Sequence, residues 1–281
     1  MTEFVFDQIP SGRLVPILGT DTVLFHGGAA NAASVTFALV LGDPSAVNVS
    51  FLGHTVQFNG GVINAAANGN LVFDDGSQLA IGGPGDDAEM TAGGNDALFG
   101  GAGNDILDGG AGDNLIQGNQ GDDVLRAGVG ADTILGGQGD DTIVTGLDVV
   151  AVANHGDFAQ GNLGNDTIHG GGGADTLLGG KGNDSIAGGH GDDWISGDRG
   201  DDTLSGGAGG DVFFVAPDGG DDRVVDFNGA EGDRVRVEAG VAFDIHQDGA
   251  DTLILIDHGA STLRLVGVQA ATLHSDWVVG V

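Results

Sequence analysis

The chain has 281 residues, 57 of them glycine, and carries 41 acidic against 8 basic side chains, for a formal charge of -33. That balance disfavours attraction to nucleic acid or to an anionic membrane surface. The absence of cysteine excludes disulfides and thiolate metal sites.

The opening stretch Met1 to Asp7 lacks the basic region and long apolar run of a secretory signal peptide, and Met1 reads as a true start. An export address is therefore expected elsewhere in the chain. No apolar run of about 18 residues suggests a membrane span. Within residues 1–81, Thr22–Phe25, Ser34–Leu41, Val47–Phe51 and Thr55–Phe58 read as strands separated by Gly, Asn, Asp and Pro turns. They are expected to form either a small β domain or irregular coils that cap a solenoid. Asn64 to Leu79 already has a repeat-like texture.

From Gly82 to Phe214 the chain repeats the nine-residue unit Gly-Gly-x-Gly-x-Asp-x-apolar-x. Seven copies start at residues 82, 91, 100, 109, 118, 127 and 136, and six more at 161, 170, 179, 188, 197 and 206. Position 4 is glycine in every copy, which points to backbone with positive φ that a side chain would hinder. Position 6 is Asp87, Asp96, Asp105, Asn114, Asp123, Asp132, Asp141, Asp166, Asp175, Asp184, Asp193, Asp202 and Asp211. Position 8 is apolar from Leu98 to Phe213, with Glu89 as the exception.

Each unit thus predicts a turn that presents one carboxylate, followed by a short strand that buries one side chain. Two units make an 18-residue coil with a strand on each side. Stacked coils put the apolar residues in a narrow interior and the acids along both edges. Units two apart then lie about 4.8 Å from each other, and their acids repel unless a cation lies between them. An all-oxygen shell of carboxylates and glycine-turn carbonyls suits calcium better than magnesium. Pairing adjacent coils allows about five sites in the first block and four in the second, so about nine or more ions in all. Asn114 and Glu89 are expected to weaken the sites or packing near them.

The interruption Thr145 to Gln160 carries Leu147, Val149, Val150, Val152, His155, Asp157 and Phe158. It is close to one coil in length and is expected to be a variant coil without two regular calcium turns, or a protruding binding loop. Beyond Phe214, Val224, Val225 and Phe227 are expected to cover the apolar end of the stack. Thr252–Ile256 and Thr262–Val266 read as strands of a meander, and Asp276-Trp-Val-Val279 as a terminal strand or an export signal.

The repeat resembles that of the repeats-in-toxin family secreted by bacterial type I systems, and the likeness runs over residues 82–281. It implies an all-β fold, a right-handed parallel β-roll with calcium-binding turns, flanked by an N-terminal β region and a C-terminal cap. The implied organisation is 1–81 for the N-terminal region, 82–144 and 161–214 for the two blocks, 145–160 for the irregular coil, and 215–281 for the cap and export signal. In the tail, the resemblance adds Asp226 and Asp233 as calcium or turn ligands.

The zinc helix of the family's proteases and the nucleophile elbow of its lipases are missing from the sequence, and the eight histidines are scattered, so no enzyme is expected. The paired acids Asp74 and Asp75 lack a positioned partner. The expected protein is secreted or surface-associated, and folds outside the cell where calcium is about 0.1 to 1 mM. Its expected role is structural, in adhesion, biofilm matrix or S-layer-like self-assembly. The alternative is a module that binds cell-surface polysaccharide, against which the outward positions offer Trp194 as the one large aromatic.

Overall fold

A computed structural model describes residues 77–146 and 155–280, together with the backbone of seven strands that precede residue 77. The pair Asp74 and Asp75 and the apolar residues Leu147 to Val152 lie outside the described residues. The chain divides into two compact units, residues 1–129 and 130–281. Both are built from strands, as β-branched and leucine side chains at alternate positions dictate. Among the described residues no helix is long and apolar enough to cross a membrane.

In the first unit, strands Thr36–Val40, Asp43–Phe51 and His54–Asn59 run antiparallel, with Leu14–Pro16 parallel to the last of them. Glu3–Val5, Thr22–Phe25 and Leu71–Phe73 pair parallel with one another, and Leu71–Phe73 joins Gln78–Ile81 in the antiparallel sense. From there the parallel ladder Gln78–Ile81, Ala97–Ala102, Leu115–Gln120 forms one wall of a roll. Ala88–Met90, Ile106–Asp108 and Val124–Gly128 form the other. The strands before residue 77 thus divide between a separate four-stranded sheet and the sheet that forms one wall of the roll.

Register confirms the 18-residue coil. Leu98 pairs with Ile116 and Leu107 with Leu125, and all four are 0% exposed. Burying each such side chain contributes about 1.5–3 kcal/mol, which offsets much of the cost of ordering so many glycines. Glu89, the exception at position 8, pairs with Leu107 and is buried, and that burial pushes its carboxyl up to about 7.

The second unit repeats this design. One wall is Thr133–Gln138, Phe158–Leu163, Thr176–Lys181, Trp194–Arg199, Val212–Val215, Arg234–Val237 and Val278–Gly280. The other is Thr142–Gly146, Thr167–Gly172, Ser185–His190, Thr203–Ala208, Asp221–Val224 and Ser261–Leu265. A meander of Phe243–Asp248, Asp251–Ile256 and Ser261–Leu265 precedes the final coil.

Trp277 seats this end. It packs over Gly229, where any side chain would collide with the indole, and against Phe227, which in turn meets Phe213. Val224 and Phe227 are buried as expected of a cap, but Val225 is 41% exposed and covers nothing. It lies in the bend just past the strand Asp221–Val224, whose last side chain takes the inward direction.

The interruption has a simple structure where it is described. Ile134 pairs with Ala159 and Thr142 with Thr167, each 25 residues apart, which is one coil plus seven residues. Gly146 lies beneath Gly171 and His155 beneath Gly173, the second and fourth positions of the next coil's turn. The segment Thr145 to Gln160 is thus one nine-residue unit with seven residues added at its third position.

Candidate metal centre

The position-6 aspartates line both edges of the roll, with one ladder along each. They turn inward, and Asp96, Asp105, Asp123, Asp132, Asp141, Asp166, Asp175, Asp184, Asp193, Asp202 and Asp211 are all at most 2% exposed. Asp96, Asp105, Asp123, Asp166, Asp175, Asp184, Asp193, Asp202 and Asp211 are each held by a backbone amide of the preceding coil. Along one edge of the second unit, the amide of Asp141 donates to Asp166 Oδ1, that of Asp166 to Asp184, that of Asp184 to Asp202 and that of Asp202 to Asp222, at 2.7–3.1 Å. Along the other edge the sequence is Asp132, Asp157, Asp175, Asp193, Asp211 and Asp233, at 2.8–3.0 Å. In the first unit, Asp87 donates to Asp105 and Asp105 to Asp123, both at 2.8 Å, while Gln78 donates to Asp96 and Asp96 to Asn114.

One oxygen of each carboxylate is thereby used. The other, Oδ2, is buried and accepts no hydrogen bond among the described residues in Asp105, Asp166, Asp175, Asp184, Asp193 and Asp211. Its direction is marked by the first glycine of the unit. A Cβ on Gly170 would lie 2.5 Å from both Asp175 Oδ2 and the carbonyl oxygen of Gly188, one coil on. Gly161, Gly179 and Gly188 face the same pair of oxygens. A carboxylate and a carbonyl converge on space where no donor is present, and glycine is required there to keep it open.

A buried anionic oxygen without a donor is costly unless it is protonated or meets a cation. Burial first, and neighbouring acids second, push Asp175, Asp184 and Asp211 up to about 7, and burial with Asp192 nearby pushes Asp193 to about 6. Among the described residues no three His, Cys, Asp or Glu side chains gather in one cluster. The shell of any ion here must therefore draw largely on backbone carbonyls, which suits calcium, with its six to eight oxygen ligands and loose geometry.

Three turns fill this space differently. Asn114 places its amide Nδ2 there, donating to the carbonyls of Gly112 and Ala127 at 3.0 and 3.3 Å. Thr145, standing where other units have their first glycine, donates its hydroxyl to the Gly170 carbonyl at 2.5 Å. Thr91, also in the place of a first glycine, donates its hydroxyl to the Gly109 carbonyl at 2.7 Å, so all three turns supply a donor here.

Of the outlying acids, Asp87 is half-buried, with Oδ2 accepting from the Gly83 amide at 2.6 Å. Asp233 closes its ladder, but its Oδ2 accepts from the Asn228 amide at 2.7 Å. Asp226 is exposed and lies outside both ladders. Its oxygens accept from the Ser205 hydroxyl and the amides of Gly206 and Gly207, so it serves the turn.

Asp157 and Asp222 join the ladders although neither belongs to a regular unit. Their signals were the spacings Asp157-x-Ala159 and Asp222-x-Val224, each matching positions 6 and 8, with Gly220 at position 4 of the second. A further ladder runs along position 5. The side-chain oxygens of Asp86, Asn104, Asn165 and Asn183 accept from the amides of Asn104, Asp122, Asn183 and Asp201 on the following coil. His155 and His169 are exposed.

A family model of RTX calcium-binding nonapeptide repeats, described as four copies, matches residues 74–107, 81–116, 90–125, 117–148, 153–186 and 179–213. No curated protein matches the chain. Among solved structures, the extracellular lipase LipA from Serratia marcescens is similar at 20% identity and a TM-score of 0.33, over 92% of this chain and 45% of the lipase. The chain thus spans less than half the length of that enzyme. The AlgE6R3 subunit of the Azotobacter vinelandii mannuronan C5-epimerase is similar at 30% identity and a TM-score of 0.23, over 47% of this chain and 82% of that subunit.

Proposed function

Because the chain belongs to the RTX calcium-binding nonapeptide-repeat family, we propose that it is a secreted structural or cell-surface protein whose roll folds when calcium binds outside the cell. The observation that carries this reading is the repeated buried Oδ2, aimed with a neighbouring carbonyl into a space without donors. In this proposal the ions are held by Asp105, Asp123, Asp132, Asp141, Asp166, Asp175, Asp184, Asp193, Asp202 and Asp211, with Asp96, Asp157 and Asp222 extending the ladders. Bound calcium supplies positive charge that removes both the desolvation cost and the repulsion along each ladder.

In a calcium-poor cytoplasm, the same acids favour an extended chain that type I machinery can thread, with its address in residues 215–281. Outside, folding makes export one-way and yields a stiff element suited to adhesion, biofilm matrix or S-layer-like assembly. The reading assigns no catalysis to the roll.

Circular dichroism and size-exclusion chromatography of chelated and calcium-loaded protein test it. The expected result is a disordered, expanded chain that becomes β-rich and compact on calcium addition. A chain equally folded after complete chelation would overturn the calcium requirement, and a strictly monomeric loaded protein at high concentration would overturn self-assembly.

A further inference from the structure

The variable positions of the second unit carry chemistry that calcium binding leaves unused. Four adjacent parallel strands, Phe158–Leu163, Thr176–Lys181, Trp194–Arg199 and Val212–Val215, put their seventh and ninth unit positions on one outer face. On it Trp194, 38% exposed, stacks against Phe214 with ring centroids 5.7 Å apart and planes at 25°. Phe158 lies in the same row, paired with Thr176, which pairs with Trp194. A structural array would be served by Thr or Val here, as on other rungs.

Further along the same strands lies a groove of 410 Å³, lined by Gln160, Asn162, Lys181, Asp198, Arg199 and Asp218. Its size falls within the range of about 300–1,000 Å³ common for small-ligand sites. Lys181 and Arg199 are register partners on adjacent strands, and they are two of only eight basic residues in the chain. Arg199 is neutralised by Asp218, which accepts from its Nε at 2.6 Å. Asp198 accepts from the Ser196 hydroxyl at 2.6 Å. Lys181 is exposed and makes no ion pair among the described residues. One ammonium is thus placed beside a guanidinium, in a chain rich in acids that could have neutralised it.

We propose that this face binds a carboxylate-bearing polysaccharide, with a uronate unit in the groove and a neighbouring sugar ring against Trp194 and Phe214. The aromatic pair offers an apolar platform for the C–H face of a pyranose. Gln160, Asn162 and Asp198 offer planar donors and acceptors to hydroxyls. Lys181 takes the carboxylate in a charge-assisted bond. Because Asp198 and Asp218 offset the two cations, the groove selects one carboxylate among hydroxyls rather than dense negative charge. The proposal goes beyond calcium-dependent folding and does not depend on self-assembly.

Calorimetric titration of the calcium-loaded full chain with short oligogalacturonates, too short for calcium to cross-link, tests it. Saturable binding is expected, with weaker binding of the same oligomers after their carboxyls are reduced to alcohols. Lys181→Glu and Trp194→Ala should each weaken oligogalacturonate binding about tenfold or more, with calcium-induced circular dichroism unchanged. Lys181→Glu should leave the weak binding of the reduced oligomer as it was. Should Trp194→Ala lose its fold, Gln160→Ala tests the same groove. Absence of binding by a protein that folds with calcium would overturn the polysaccharide site and leave the calcium reading intact. Binding unaffected by any of the folded variants, or equal binding of a sulfated oligomer, would overturn it as well.

Discussion

At Asp184 the two carboxylate oxygens do different work. Oδ1 accepts the Asp166 amide at 2.8 Å and so sets the stacking distance between coils, while Oδ2 lies buried with no hydrogen-bond partner among the described residues. Asp184→Asn separates the two roles, because it keeps an oxygen for the ladder and replaces Oδ2 with a donor, the arrangement Asn114 already shows. The expected effect changes sign with calcium. In saturating calcium the variant should lose about 1–3 kcal/mol of stability through the missing ligand. In chelator it should unfold no more readily than the parent, since one buried charge is gone. Thermal melts of both proteins in calcium, and the β structure that each retains in chelator at about pH 5 by circular dichroism, check this; an equal loss of β structure in chelator would show that Oδ2 serves a purely structural bond.

The elements of the roll are short because each coil is closed by turns that only glycine can make at key points. Gly182 has a φ of +130°, and its Cβ would collide with the Gly164 carbonyl beneath it. The position-4 glycine rule was legible in the sequence for this reason, as was the inward apolar residue at position 8. The added residues within Thr145 to Gln160 were not legible as an insertion. Thr145 and His155 stand where the unit usually has glycine, so the phase was hidden until register placed Ala159 beside Ile134 and Asp157 in the ladder. Deleting residues 147–153 should restore the 18-residue spacing and leave calcium-induced folding intact. Calcium titrations followed by circular dichroism, compared with the parent, test this. Loss of folding would show that these seven residues hold the turn together.

For the whole molecule, an excess of 41 acidic over 8 basic residues makes the fold answer to protons as well as calcium. Asp175, Asp184 and Asp211 rise from 3.8 to about 7, chiefly through burial, so without calcium the folded chain binds more protons than the unfolded one between these values. Stability of the calcium-free roll therefore falls as pH rises through this window. Chelated protein should show more β structure at about pH 5 than at about pH 8. In calcium the dependence reverses, because protons compete for the ligands and raise the calcium midpoint as pH falls. Circular dichroism at both pH values, with light scattering to exclude acid aggregation, distinguishes these slopes. A chelated chain equally unfolded at both would contradict the burial of these carboxyls.

The sequence by itself determined the coil length, the inward residue of each unit, the line of acids and the oxygen-only metal chemistry, because a nine-residue period forces like residues into like places. Tertiary structure decided which oxygen of an acid such as Asp184 is spent on the neighbouring coil and which lies buried facing a space without donors. It also brought Asp157 and Asp222 into the ladders, set Asp226 apart, stacked Trp194 on Phe214 and placed Lys181 beside Arg199. Those outcomes depend on register between coils at least 18 residues apart and on the turns that connect them, which are long-range properties that no single unit encodes.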